Sequence, residues 1–155
     1  MKYRLAVETD LPQLAQMRWD FQTEDETEKP IVERAVFVEK CVEYLGECLR
    51  RGDWAFWIAE LGGKIVSHIF VKTIASVPRP ARLENLWGYV TNVYTKPEFR
   101  GQGVGAELLT QVENWAIARD FEILIVSPSA DSIAFYKRAG FAAETDFLQL
   151  RLRDF

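Results

Sequence analysis

The sequence predicts an α/β fold, a central mixed β-sheet with helices on both faces, and three observations carry that prediction. Two aromatic and β-branched runs, Trp54–Glu60 and Ile65–Ile74, bracket Leu61-Gly62-Gly63-Lys64. Gly-Gly can take the positive φ angles of a tight hairpin, so these runs are antiparallel neighbours. A strand, a glycine-rich turn, a helix and a second strand then follow between Leu86 and Val126, the pattern of a β-α-β crossover with parallel strands. The whole order reads βααβββαβα and then β, and alternation of this kind packs helices on both sides of one sheet. No repeat, low-complexity tract or linker divides residues 1–155, which suit a single domain.

Each element has its own signal. Tyr3–Val7 alternates as a first strand. Thr9-Asp10 offers a helix N-cap, with Pro12 tolerated in the first turn. Leu11, Leu14, Ala15, Trp19 and Phe21 form the stripe of a short helix, which Arg18 interrupts. An acidic connection with Glu24, Asp25, Glu26 and Glu28 ends at Pro30. In the next helix Ile31, Ala35, Val38, Val42, Leu45 and Leu49 recur at three and four. Arg50-Arg51 suit its last turn and Gly52 ends it. After the hairpin, Ser76–Arg82 holds two prolines and reads as an exposed loop. Leu86–Tyr94 is the central strand, and a helix runs from the glycine turn to about Arg119. Glu122–Val126 is a buried strand, Pro128-Ser129 starts a last helix to Arg138, Gly140 stops it, and Phe141–Leu152 supplies one or two closing strands.

The chemistry is concentrated in Arg100-Gly101-Gln102-Gly103-Val104-Gly105-Ala106. These glycines sit where a strand ends and a helix begins. Glycine lets the backbone approach a ligand closely. The first N–H groups of a helix lack intrahelical partners and carry the positive end of its dipole. Anion binding, above all phosphate, is the natural use of such a junction. The spacing does not match a dinucleotide G-x-G-x-x-G turn, because the third glycine comes one position early. It does not match a P-loop either, since no G-K-[ST] follows.

What fits is R-x-x-G-x-G, at Arg100, Gly103 and Gly105 and followed by Ala106. With it comes Ala134-Phe135-Tyr136-Lys137-Arg138-Ala139-Gly140-Phe141, about thirty residues downstream. By these two landmarks in order the sequence resembles the GNAT acetyltransferase superfamily, and the resemblance covers nearly the whole chain. It implies the GNAT acyl-CoA N-acyltransferase fold, with acetyl-CoA as the cofactor. It also implies that the strand before the glycine turn and the strand after its helix splay apart to admit the pantetheine arm.

The resemblance assigns residues as well. The backbone of Gly101, Gln102, Gly103, Val104, Gly105 and Ala106 would receive the pyrophosphate of coenzyme A, with Arg100 orienting the turn or meeting a phosphate oxygen. The backbone of Val93 and Thr95 would pair with the pantetheine arm, and an N–H near Val93 would stabilise the developing oxyanion. Tyr94 lies between them and, if the strand alternates, points its side chain the other way into packing. Tyr136 is the expected catalytic residue, a phenol able to protonate the departing thiolate. Ser129 stands where many members carry Asn, and a cofactor contact there is the weakest of the set. No general base stands out: Glu84 precedes the central strand, and Asn92 could hold a water.

Composition narrows the classes. Hydrophobic residues are 48% and charged residues 27% of 155, ordinary for a soluble globular protein. No apolar run approaches the ~20 residues of a membrane span, and an acid at Glu8 comes too early for a secretory signal, so a cytoplasmic location is expected. Cys41 and Cys48 fit no metal or redox spacing, and His68 is the single histidine. A net charge of −4 disfavours nucleic acid. The expected activity is an N-acetyltransferase in which a primary amine attacks the thioester directly. A small cationic amine is the first acceptor, on the acidic connection; amino acids and protein N-termini or lysines compete, as does a non-catalytic acyl-CoA-sensing domain. The apolar Phe147-Leu148-Gln149-Leu150 permits a homodimer or an ordinary closing hairpin.

Overall fold

The computed structural model describes residues 1–24, 29–143 and 150–152. The strands are β1 (Lys2–Leu5), β2 (Trp54–Leu61), β3 (Lys64–Ala75), β4 (Leu86–Thr95) and β5 (Phe121–Val126). The helices are α1 (Leu11–Thr23), α2 (Arg34–Arg51), α3 (Val104–Ala118) and α4 (Ile133–Arg138). The strands lie in the order β1-β2-β3-β4-β5 in one sheet. The first four are antiparallel neighbours, and β4 pairs with β5 in parallel across the α3 crossover. The mixed sheet read from the sequence is therefore the one observed. The closing strands expected within Phe141–Leu152, and the tail considered for a dimer, fall largely on residues 144–149, outside the described residues.

Two cores form because each central strand has apolar residues on both sides. Leu11, Leu14 and Met17 of α1 and Leu45 and Cys48 of α2 pack on Phe56, Ile58 and Phe70. On the opposite face Val104, Leu108, Leu109 and Val112 of α3 pack on Ala59, Val66, Ile69, Val71 and Val90. The β2–β3 turn is the expected two-residue hairpin, with Gly62 and Gly63 at φ 57° and 78°.

Some boundaries differ from the sequence reading. Ile31 is 98% exposed and precedes α2, which starts at Arg34; the spacing included it, but no core lies beneath it. Asp10 does not cap α1. Its carboxylate accepts the Val7 N–H at 2.8 Å and Arg4 at 2.6 and 2.9 Å, while Arg4 also reaches Glu60. This ties β1 to β2 and to the start of α1. The last helix is divided into a 3-10 turn, Ala130–Ser132, and α4.

Strand β4 carries the irregularity that organises the site. Thr91 stands opposite Phe70 and Tyr94 opposite His68, so Asn92 and Val93 face Ile69 alone. This is a β-bulge, with Asn92 at φ 50°. The extra residue reverses side-chain alternation: Val90 packs under α3, whereas Tyr94 packs under α1 and α2. The parallel ladder to β5 ends at Val90 opposite Val126. Thr91–Thr95 continue with no β5 partner among the described residues.

Candidate active site

The glycine turn closes β4 and opens α3. Gly101 and Gly103 are left-handed at φ 70° and 79°, and a Cβ built at either meets nothing within 4 Å. Gly103 is the N-cap of α3, and its carbonyl accepts the Glu107 N–H at 2.9 Å. The N–H groups of Gly103, Val104, Gly105 and Ala106 meet no acceptor among the described residues. Open space, glycine backbone and four unpaired donors fit a pyrophosphate. Gly105 differs from Gly103: a Cβ there would lie 3.2 Å from Thr95 Oγ1 and 3.8 Å from the Phe135 ring. Its missing side chain lets α3, β4 and α4 come together.

Arg100 bonds to the end of β4 and to Glu24. Its Nε donates to the Thr95 carbonyl at 2.8 Å, and Nη1 and Nη2 grip Glu24 at 2.6 and 2.7 Å. The guanidinium lies 5.4 Å over the Tyr94 ring. Gln102 folds back, donating to the Glu98 carbonyl at 2.8 Å. Arg100 also holds the Glu24 carboxyl below its ordinary range. Glu24 is therefore already paired, and Asp25, Glu26 and Glu28, the rest of the acidic connection, lie outside the described residues.

Tyr136 is 6% exposed, in the core shared by α3 and α4. Gly140, at φ 93°, turns the chain so that the Phe141 N–H reaches the Tyr136 carbonyl at 3.0 Å. The Phe141 ring then stands 5.4 Å from that of Tyr136. The Gly-Phe ending thus wedges the phenol in place. Burial, with a smaller contribution from Tyr89, pushes its pKa up to about 12, so it keeps its proton at neutral pH. Ser129 is exposed; its hydroxyl donates to Ser132 Oγ at 3.0 Å rather than capping a backbone N–H.

Val93 packs toward α3, Thr95 Oγ1 meets Ser67 Oγ at 2.8 Å, and Tyr94 is buried on the opposite face. Glu84 lies at the far end of β4, roughly 30 Å of strand from Val93, exposed and with its carbonyl bonded to Arg82. That distance removes it as a base.

Three residues meet at the bulge that the sequence had named only in passing: Asn92 as able to hold a water, Arg18 as an interruption and His68 as the single histidine. His68, fully buried, takes the Asn92 carbonyl at 2.6 Å through Nδ1, which must therefore carry the hydrogen. Burial lowers its pKa to about 4, so it is neutral. The Arg18 guanidinium donates to Asn92 Oδ1. Arg18 and Asn92 line a cavity of about 350 Å³ between α1, α2 and the sheet. Cys41 shares its wall, and burial pushes that thiol up. Arg18 left a signal as the break in the α1 stripe, and Asn92 as a polar residue near the end of the central strand. Of the tryptophans, Trp54 alone lines this cavity. A larger cavity of about 930 Å³ runs along β5 and α4, including Tyr89 and Tyr136, and extends to Ala143.

No curated protein sequence matches this chain. Among solved structures, a predicted acetyltransferase with acetyl-CoA from Clostridium acetobutylicum is 27% identical, covering 97% of this chain and 96% of its own, with a TM-score of 0.76. An aminoglycoside acetyltransferase from an uncultured soil metagenomic sample is 19% identical over 98% and 95%, with a TM-score of 0.75. Glucosamine-6-phosphate N-acetyltransferase from Arabidopsis thaliana is 17% identical over 98% of each chain, with a TM-score of 0.70. The last two share the fold. The model of the Acetyltransferase (GNAT) family matches residues 11–141, from the start of α1 to the Gly-Phe ending of α4. With the family pattern spanning both cores and the bulged strand between them, this chain belongs to the acetyl-CoA-dependent GNAT acetyltransferase family.

Proposed function

We propose that the protein transfers the acetyl group of acetyl-CoA to the primary amine of a small molecule, by direct attack and without an acyl-enzyme. The observation that carries this reading is the parting of β4 from β5 after Val90 and Val126. It leaves a row of backbone groups facing a gap, with the glycine turn at one end and Tyr136 in the adjoining core.

In this reading the N–H groups of Gly103–Ala106 hold the pyrophosphate, with Gly101 and Gln102 shaping the turn. Val93 and Thr95 pair with the pantetheine amides as an added strand would, and the Val93 N–H donates to the thioester oxygen as negative charge develops there. Arg100 and Tyr94 hold the turn against the strand, and Ser129 borders the entry to α4. The amine nitrogen forms its bond to the carbonyl carbon as the carbon–sulfur bond breaks. The sulfur keeps the bonding electrons, Tyr136 supplies its proton, and the amine's surplus proton passes to water. Cys41 is held as a thiol by burial, a poor nucleophile, which favours direct attack.

A cavity of about 350 Å³ on the other side of the bulge suits a small acceptor. The neighbours named for aminoglycosides and glucosamine-6-phosphate act on small molecules. A cationic acceptor has less support, because Glu24 is spent on Arg100. The test is Tyr136→Phe, assayed by thiol release. We expect kcat to fall by about 10²-fold or more, with KM for acetyl-CoA and Tm unchanged. An undiminished kcat would remove Tyr136 from the chemistry.

A further inference from the structure

The cavity under α1 and α2 has a polarity that its apolar walls do not call for. Phe37, Leu45, Trp54, Phe56 and Phe70 line it, and among the described residues no Asp or Glu does. Into this surround α1 sends Arg18, which makes no ion pair among the described residues and touches Asn92 Oδ1 and the Phe21 ring. A guanidinium keeps its charge in proteins. Burial acts to push the Arg18 pKa down, the mark of a cation short of solvent and of a counter-charge. The second cation on the wall, Lys40, is exposed at the rim and paired with Glu43 at 2.9 Å. A planar fork with no ion pair among the described residues, set in an apolar pocket, matches one carboxylate, which it can bind with two parallel hydrogen bonds.

Position makes the carboxylate informative. Asn92, which receives Arg18, directly precedes Val93 on the bulge. An anion held by Arg18 thus sits one residue from the N–H assigned to the thioester oxygen. An amine on the carbon next to that carboxylate would reach the thioester, and a side chain on the same carbon would face the aromatic wall.

We propose that Arg18 is the specificity-determining residue for the acceptor, and that the acceptor is an α-amino acid with an apolar or aromatic side chain. The carboxylate binds Arg18, the side chain fills the pocket between Phe37, Phe56 and Phe70, and the α-amine attacks at Val93. The inference rests on the proposed acetyl transfer at the bulge. Atoms balance as in that reaction: nitrogen gains the acetyl carbon and loses one proton to water, and sulfur leaves protonated.

The experiment compares L-phenylalanine, L-phenylalaninamide, 2-phenylethylamine and spermidine as acceptors at saturating acetyl-CoA. We expect kcat/KM for phenylalanine to exceed that for the amide and for phenylethylamine by at least about 100-fold, mainly through KM. Arg18→Gln should bring the three within about tenfold of one another and leave KM for acetyl-CoA unchanged; Arg18→Lys should restore part of the preference. The wild-type comparison stands even if a variant fails to fold. Equal or better turnover of the amide, phenylethylamine or spermidine overturns the inference and leaves amine acetylation intact. No turnover of any of the four, with acetyl-CoA still raising Tm, overturns it as well. If acetyl-CoA does not raise Tm either, the proposed function falls with it.

Discussion

On the α3 face of the sheet the candidate site is made of backbone, and on the α1/α2 face it is made of side chains. The first uses the N–H groups of Gly103–Ala106 and the edge of β4 that has no β5 partner among the described residues, all within sixteen consecutive positions, 91–106. The second gathers Arg18, Phe37, Phe56, Phe70 and Asn92 from two helices and three strands. The difference suits the two ligands expected. A cofactor shared by a family can be held by main-chain geometry. An acceptor must be told apart by shape and charge, which only side chains supply.

The largest effect should come from the joint between the faces. His68 holds the Asn92 carbonyl and stays neutral in the fold. Unfolded, it takes a proton near pH 6.5; folded, near pH 4. The unfolded state therefore binds more protons between these values, and stability rises with pH across that window. Acidification from pH 7 to pH 4 should remove up to about 3 kcal/mol through this residue, with nothing further from it below pH 4. Urea unfolding at pH 7, 5.5 and 4 measures the slope, and His68→Gln should flatten it. An unchanged slope would mean that the bulge does not depend on a neutral imidazole.

A smaller effect belongs to the backbone face. Gly103→Ala puts a Cβ at φ 79°, costing about 1 kcal/mol of stability. The free protein has room for that methyl group, but a pyrophosphate against the turn does not. Acetyl-CoA affinity should fall about tenfold or more through lost charge-assisted hydrogen bonds, measured by calorimetry. Unchanged affinity would mean that the anion site lies elsewhere.

The smallest effect is expected at Glu24, where the two faces are tied through Arg100. Glu24→Gln should lower stability by no more than about 1 kcal/mol, since the pair is exposed. The acetyl-CoA Kd should move less than about twofold if Arg100 only positions the turn. A marked tightening would show that Arg100, once released, meets a phosphate.

The fold was legible because its signals are local. The Gly62-Gly63 hairpin, the Gly52 stop and the stripe of α3 each depend on a few adjacent residues, and the structure contains all three. Two of the departures are places where local spacing competes with burial or pairing. Ile31 continues the α2 period but has no core to face, and Asp10 has the chemistry of a cap but finds Arg4 instead.

By itself, then, the sequence determined the order of elements, the mixed sheet and the glycine turn with its aromatic ending, since each is a short-range pattern set by backbone sterics and period. Only the tertiary structure decided that β4 bulges at Asn92, that the bulge turns Tyr94 and Val90 to opposite faces, and that the misfit in the α1 stripe is a cation over an aromatic pocket. Arg18 and Asn92 are 74 positions apart, and a contact of that range leaves no period in the chain. It exists only because the sheet and two helices pack together and half-bury a charge beside an aromatic pocket.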